Sequence, residues 1–432
     1  KENITYPDTS FDIGSVNILE NENRVPINYI LPPGVQREEI NSNSSIIRQN
    51  EQSMSIKVID LHPKDSRAVY KNLDFDMRQY KSLKMFIHAE SIEGSPLLPG
   101  EGASEDFDRR LVGFIRLGSD FTDNYYQIEV PLKPTAFSQG SSNRFSAEQV
   151  WEPESNSIDF SLETLTKLKA LTISKSSNLS EVLYFNEDLE IIDEFSSISN
   201  LPGEKKYKFA IKGNPTIGGI KTLMIGVKNP STQNGDNLSG EVWFNELRLS
   251  EIDGKGGWAA LGSLDANIAD VAKFSFSGKM STIGFGSIDK TPNQRSREEF
   301  KQYGFVGSAN FGKFLPEKWG IQIPLAYTIN QQITTPEYDP FYQDIKLNDR
   351  LDTAKRKSQR DSIREQAISF KQTKNISLMG LKKNRSEGQK EKIYDIENFD
   401  FSYSYNQEVE HDYEIENLTR KTVRAGIQYS FN

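Results

Sequence analysis

The sequence predicts an all-β chain: a jelly-roll-like β-sandwich followed by antiparallel transmembrane strands, part of the wall of an outer-membrane β-barrel. Three observations predict it. First, from Gly257 to Asn330 apolar residues recur at every second position. They run Leu264, Ala266, Ile268; then Phe274, Phe276, Gly278, Met280; then Tyr303, Phe305, Gly307, Ala309, Phe311; then Ile321, Ile323, Leu325, Tyr327, Ile329. Small or polar residues alternate with them, and period two assigns one set to each face of a strand. Second, connections alternate between short (269–271, 312–318) and long (285–302, 331–365), as in barrels with short periplasmic turns and long outer loops. Third, aromatic residues make up 11% of a polar chain, which favours strands. A soluble sandwich or a soluble meander would give the same alternation with one buried face.

Residues 1–52 are polar and interrupted by Pro26, Pro32 and Pro33, which predicts an extended lead-in with little core of its own. Residues 53–253 carry about seven strand patterns, at 55–61, 83–89, 111–117, 125–132, 207–211, 222–227 and 241–249. One short helix is expected over 161–170, with Leu162, Leu165 and Leu168 on one face and Asp159 or Ser161 as its cap. Many antiparallel strands with irregular loops suggest the jelly-roll type of sandwich. Gly254-Lys-Gly-Gly257 marks a boundary. Residues 257–432 then carry about seven transmembrane strands. The later ones are expected at 367–381, where Lys374 breaks the phase, at 399–405, and at 423–431. A charged helix near 349–366 reads as polar all round and solvated. Seven strands do not close an even-numbered barrel, so the segment reads as part of a larger wall.

The chain has 432 residues and a net charge of -9, enough for two or three domains. It starts at Lys1, without Met or signal peptide, and so reads as a mature chain or an excised piece. No apolar run approaches 18 residues, which excludes a transmembrane helix. A mean hydropathy of -0.61 is compatible with a barrel, whose lipid face is half of each strand. No basic cluster is interleaved with aromatics, so no nucleic-acid partner is expected. Cysteine is absent, leaving no disulfide or thiolate site.

The three histidines, His62, His88 and His411, are far apart, and no nucleophile elbow, phosphate loop or metalloprotease motif is present. Glu101, Glu105, Asp106 and Asp108 offer oxygen ligands for calcium, against the simpler reading of a solvated acidic loop. Asp74 and Asp76 read as paired carboxylates or, with Arg78, as a surface ion pair. His88 reads as a hydrogen-bonded core histidine. The chain is therefore expected not to be an enzyme, and to need no cofactor or metal.

Some stretches are more specific. Glu241-Val-Trp-Phe-Asn-Glu-Leu-Arg-Leu249 precedes Gly257-Trp-Ala-Ala and Leu264-Asp-Ala-Asn-Ile-Ala-Asp270. Phe276-Ser-Gly through Gly284-Phe-Gly-Ser287, Thr222–Pro230, Pro336–Pro340 and Gly426–Phe431 belong with them. In that order they resemble the SprA/Sov family, the outer-membrane translocon of the Bacteroidetes type IX secretion system. The resemblance implies one segment of a very large single-chain barrel that exports folded cargo and supports gliding motility. It implies as partners a PorV-type shuttle barrel, a periplasmic plug protein, cargo with a C-terminal targeting domain, and outer-membrane lipid. The alternative is a surface-exposed carbohydrate-binding or adhesin sandwich without a transport role.

On the transmembrane reading, Phe274, Phe276, Phe305, Phe311, Ile321 and Ile323 face lipid. Ser275, Ser277, Ser308 and Gln322 face the lumen. Trp258, Phe285, Tyr303 and Trp319 form the interfacial aromatic girdle. Pro324 removes a ladder donor and predicts a bulge or an edge. If the short turns are periplasmic, the strand at Gly257 starts at the extracellular end. That places the sandwich outside the cell, with 382–396 as an unusually long periplasmic connection.

Overall fold

A computed structural model describes residues 8–431, apart from 43–44, 93–110, 137–143, 175–179, 197–205, 235, 355 and 387. The calcium candidate at 101–108 lies outside the described residues. The protein is all-β with antiparallel sheets, and it divides into two compact units, Lys1–Asp253 and Gly254–Asn432.

The first unit contains β1 (Ser10–Asn17), β2 (Glu39–Ser42), β3 (Ser45–Arg48), β4 (Gln52–Leu61), β5 (Ser66–Phe75), β6 (Tyr80–Ser91), β7 (Val112–Gly118) and β8 (Tyr125–Pro131). After the short helices α1 (Ile18–Asn21), α2 (Ala147–Trp151) and α3 (Pro153–Asn156) come β9 (Ile158–Ser161) and α4 (Glu163–Ser174). Then follow β10 (Leu183–Phe185), β11 (Ile191–Ile192), β12 (Lys208–Lys212), β13 (Ile220–Lys228) and β14 (Leu238–Ile252). One sheet runs β1-β4-β14-β6-β9 and the other β11-β10-β12-β8-β7-β13-β5. Their alternate residues meet in one core: Ile56, Val58, Ile87 and Val242 from the first sheet, and Ile115, Ile128, Phe209 and Val227 from the second. Leu162, just before α4, and Leu165 and Leu168 on it join that core, and the Ser161 hydroxyl accepts the Glu163 amide at the helix start. Asp159 instead pairs with Lys84. Asp76 pairs with Arg78 at 2.7 Å.

The segment expected as a lead-in with little core is corrected by the structure. β1 pairs with β4 along its whole length, and Ile27 and Tyr29 are fully buried. The reason lies in the Glu241–Asn245 motif on β14. Val242 and Phe244 point into the main core, so period two turns Glu241, Trp243 and Asn245 to the other face. Trp243 there packs with Val16, Ile27, Tyr29, Val150 and Trp151 in a second core. Glu241 accepts from the Trp243 indole (2.8 Å), Ser55 (2.8 Å) and Arg24 (2.9 Å). Arg24 also donates to Glu90. Burial works against both charges. Even so, Glu90 and Glu241 hold the Arg24 pKa above its ordinary value, and hydrogen bonds from His88 and Arg24 hold the Glu90 carboxyl below the usual range. His88 Nδ1 lies 2.6 Å from the Val150 carbonyl. Glu90 is buried while Arg24 and Glu241 are half-buried, so removing one partner would leave a costly unpaired charge.

In the turn between β7 and β8, one oxygen of Asp120 accepts the backbone N–H groups of Thr122, Asp123 and Asn124. Its slight burial opposes ionisation, but these donors outweigh it and hold the carboxyl well below the usual range. A depressed folded-state pKa stabilises fully above the unfolded value and progressively less as pH falls beneath it. Asp120→Ala should cost about 1 kcal/mol at pH 7, as loss of a comparable backbone cap does. In urea unfolding, that gap should narrow as pH falls below about 4. A gap independent of pH would contradict the assignment.

The second unit is a meander: β15 (Ala259–Ile268), β16 (Ala272–Ser281), β17 (Glu298–Asn310), β18 (Ile321–Gln322), β19 (Pro324–Pro336), β20 (Ser369–Lys383), β21 (Phe399–His411) and β22 (Leu418–Tyr429). The order is β15-β16-β17-β19-β20-β21-β22, with β18 added beside β20. The strands are longer than the sequence pattern alone suggested, so the connections are 282–297 and 337–368 rather than 285–302 and 331–365. The charged helix is two, α5 (Leu347–Thr353) and α6 (Lys357–Ala367). They are not polar all round: Leu347 and Leu351 on one, Ile363 and Ala367 on the other, close a small core. Lys374 does not break β20. Its register is continuous there, and the irregularity falls between Met379 and Leu381.

Candidate functional surface

Within the second unit, cross-strand partners fix which side chains share a face. Phe276 stands opposite Leu264 and Phe305, and Phe274 opposite Ala266 and Gly307. The row through Gly307 continues Tyr327, Ile376, Tyr405, Val423. The next continues Ala309, Leu325, Leu378, Tyr403, Ala425. The rings of Phe274 and Phe305 stack at 6.1 Å, and Phe305 meets Tyr327 at 6.1 Å. The opposite face carries Asp265, Ser275, Val306 and Thr328 in one row, and Ser263, Ser277, Gly304 and Asn330 in another. Farther along it, Lys371 lies 3.3–3.4 Å from Glu410 and Glu408, and Arg420 lies 3.5 Å from Glu408.

Neither face is covered by a second layer of this unit among the described residues. On the apolar side Leu264 is 68% exposed, Phe276 48% and Ile427 68%. A soluble sheet with such a stripe would be packed against something. No helix among the described residues is long and apolar enough to cross a membrane.

The sequence-predicted positions separate into two groups. Phe274, Phe276 and Phe305 share the apolar face, while Ser275, Ser277 and Ser308 share the other. Phe311 is not on a strand. β17 ends at Asn310, whose side chain accepts the Gly312 and Ile323 amides and turns the chain into a 3-10 segment, Phe311–Phe314. Ile321 and Gln322 form the two-residue β18, opposite Lys383 and Lys382. Ile323 falls in the break before Pro324, where the ring nitrogen has no hydrogen to donate. The bulge lies across the ladder, at Gly380 with φ +86, rather than in the proline's own strand. Tyr303 is interior to β17, since that strand begins at Glu298. Trp258 and Phe285 lie just outside β15 and β16, and Trp319 sits in the turn before β18. Among the described residues there is no group of three metal-ligating side chains.

Sequence reasoning missed the rim of this surface. Beyond the apolar rows the same face carries Lys374, Gln407 and Lys421, side by side in one row. The signal was present: period two carries Lys374 straight on from Ile376 and Leu378.

A packed two-sheet unit followed by a single-sheet meander with one apolar and one polar face defines an all-β, antiparallel chain. The chain belongs to the SprA_N family, described as motility related/secretion protein, whose family model matches residues 1–351. The resemblance read from the motifs is borne out at that level. No curated protein matches the chain. Membership implies a role in motility or secretion and association with the cell envelope.

Proposed function

We propose that the second unit is a section of the wall of a large outer-membrane β-barrel, the protein-conducting translocon of type IX secretion. On this reading it exports folded cargo to the cell surface, supports gliding motility and catalyses no reaction. The observation that carries the proposal is the slope of the apolar belt. In β16 the belt is centred on Phe276, whose hydrogen-bonded row ends at Lys421. In β22 the belt runs from Val423 to Tyr429, so its centre lies about five residues farther along. That is about 17 Å along the strands against about 24 Å across five ladders. The slope is roughly 35°, within the strand tilt of transmembrane barrels. A membrane-parallel belt on tilted strands requires such a drift; a soluble meander does not.

Phe274, Phe276 and Phe305 then face lipid, while Ser275, Ser277 and Ser308 face water. Trp258, Phe285 and Trp319 border the belt from outside the strands. The resemblance supplies the partners: a PorV-type shuttle barrel, a periplasmic plug protein, and cargo with a C-terminal targeting domain. The first unit is read as a jelly roll because two four-strand sets, β4-β14-β6-β9 and β5-β13-β7-β8, follow the order of two interleaved Greek keys. β15 starts at the end of the sheet that carries loops 282–297 and 337–368. Long loops are extracellular in this class, so the first unit is attached on the extracellular side.

Two outcomes are expected. Phe276→Arg should cost roughly 2–4 kcal/mol of stability in bilayers and Ser277→Arg at most about 1; equal costs would contradict the membrane reading. Thr232 is exposed in the first unit and the chain has no cysteine. Thr232→Cys should therefore react on intact cells with a membrane-impermeant maleimide. Labelling only after the outer membrane is breached would overturn the sidedness.

A further inference from the structure

We infer that Lys374, Gln407 and Lys421 form a site on the outer wall of the sheet for the phosphate groups of a phosphorylated lipid headgroup. The inference rests on the membrane reading given above. The three residues occupy consecutive places in one hydrogen-bonded row, on β20, β21 and β22. They lie on the apolar face, one row beyond Ile376, Tyr405 and Val423 on the side of the long loops. The headgroup zone of a bilayer begins where such a belt ends.

The two faces differ in how cations are paired at this level. On the polar face Lys371 and Arg420 have carboxylate partners. On the apolar face neither Lys374 nor Lys421 has one among the described residues. Their strand positions are flanked by Gln372, Val409 and Thr419, none of them acidic. Lys374 lies over the Tyr327 ring, 5.8 Å from its centroid. The Tyr405 hydroxyl donates to the Gln407 carbonyl oxygen at 3.1 Å. That bond occupies the amide oxygen and leaves the amide N–H groups as the free end of the side chain.

Two ammonium groups on backbones about 10 Å apart, with an amide donor between them, can span a headgroup that bears two phosphates. An acidic protein partner would not require the site to border a lipid-facing belt. Anionic lipid does, because its charge sits at that depth.

The probe is a bisphosphorylated lipid A in nanodiscs of phosphatidylcholine, with native mass spectrometry counting the lipid A retained by the protein. Each basic residue near an anionic surface is worth roughly a factor of five. Lys374→Gln with Lys421→Gln should therefore lower retention about tenfold or more. Lys374→Arg with Lys421→Arg should keep it, as should Lys371→Gln, which lies on the other face of β20. Equal retention by wild type and the double glutamine variant would overturn the site, and so would an equal loss in Lys371→Gln. If inorganic phosphate alone shields both lysines from an amine-reactive reagent as well as lipid A vesicles do, the lipid assignment is overturned in favour of free phosphate. Failure of wild type to insert into nanodiscs would instead overturn the membrane reading, and the site with it.

Discussion

Everything in the second unit depends on the hydrogen-bonded ladder of a single sheet. Its backbone groups are satisfied laterally, strand to strand, so the sheet needs no second layer to complete its polar pairing. Period two then gives each face its own chemistry. Ten residues of β15 pair with ten of β16 without a register shift, and the alternation passes unchanged into β17 and β19. A slip of one residue in β16 would put Ser275 and Ser277 on the face that Phe274 and Phe276 occupy. The two faces therefore keep different chemistry, and which residues share a face follows from register alone.

The first unit solves the opposite problem, the burial of two sheets against each other. Its β14 strand carries both solutions in one motif. Val242 and Phe244 serve the inter-sheet core, while Glu241 and Trp243 hold the segment around Arg24 and Tyr29 on the outer face. Arg24 and Glu241 are half-buried and pair with each other. Trp151 and Trp243, both fully buried, are the largest apolar side chains of that cluster.

Much of this was legible in the sequence, for a physical reason. Alternation survives in every strand whose two faces differ, so β15 to β17 and β20 to β22 announced themselves through Phe274, Phe305, Tyr403 and Ile427. Two kinds of element escaped. β5, with Ser66–Phe75, is an edge strand of mixed polarity, and β1 hides in a segment whose prolines suggested a lead-in. Both are held by neighbours rather than by their own pattern. The turn at Phe311 was missed because the apolar phase runs on past the strand end, and only the Asn310 side chain stops the ladder there. Lys374 misleads in reverse: a cation in an apolar phase suggests a break, although the backbone ladder continues through it.

The most direct test of the account is a site-by-site accessibility profile of β16. A nitroxide would be placed in turn at Lys273 through Met280, in the protein reconstituted in bilayers, and its collision rate measured with a lipid-soluble and with a water-soluble quencher. The account predicts that labels at 274, 276, 278 and 280 respond to the lipid-soluble quencher, and those at 273, 275, 277 and 279 to the aqueous one, in strict alternation. A profile in which both sets respond alike would contradict it.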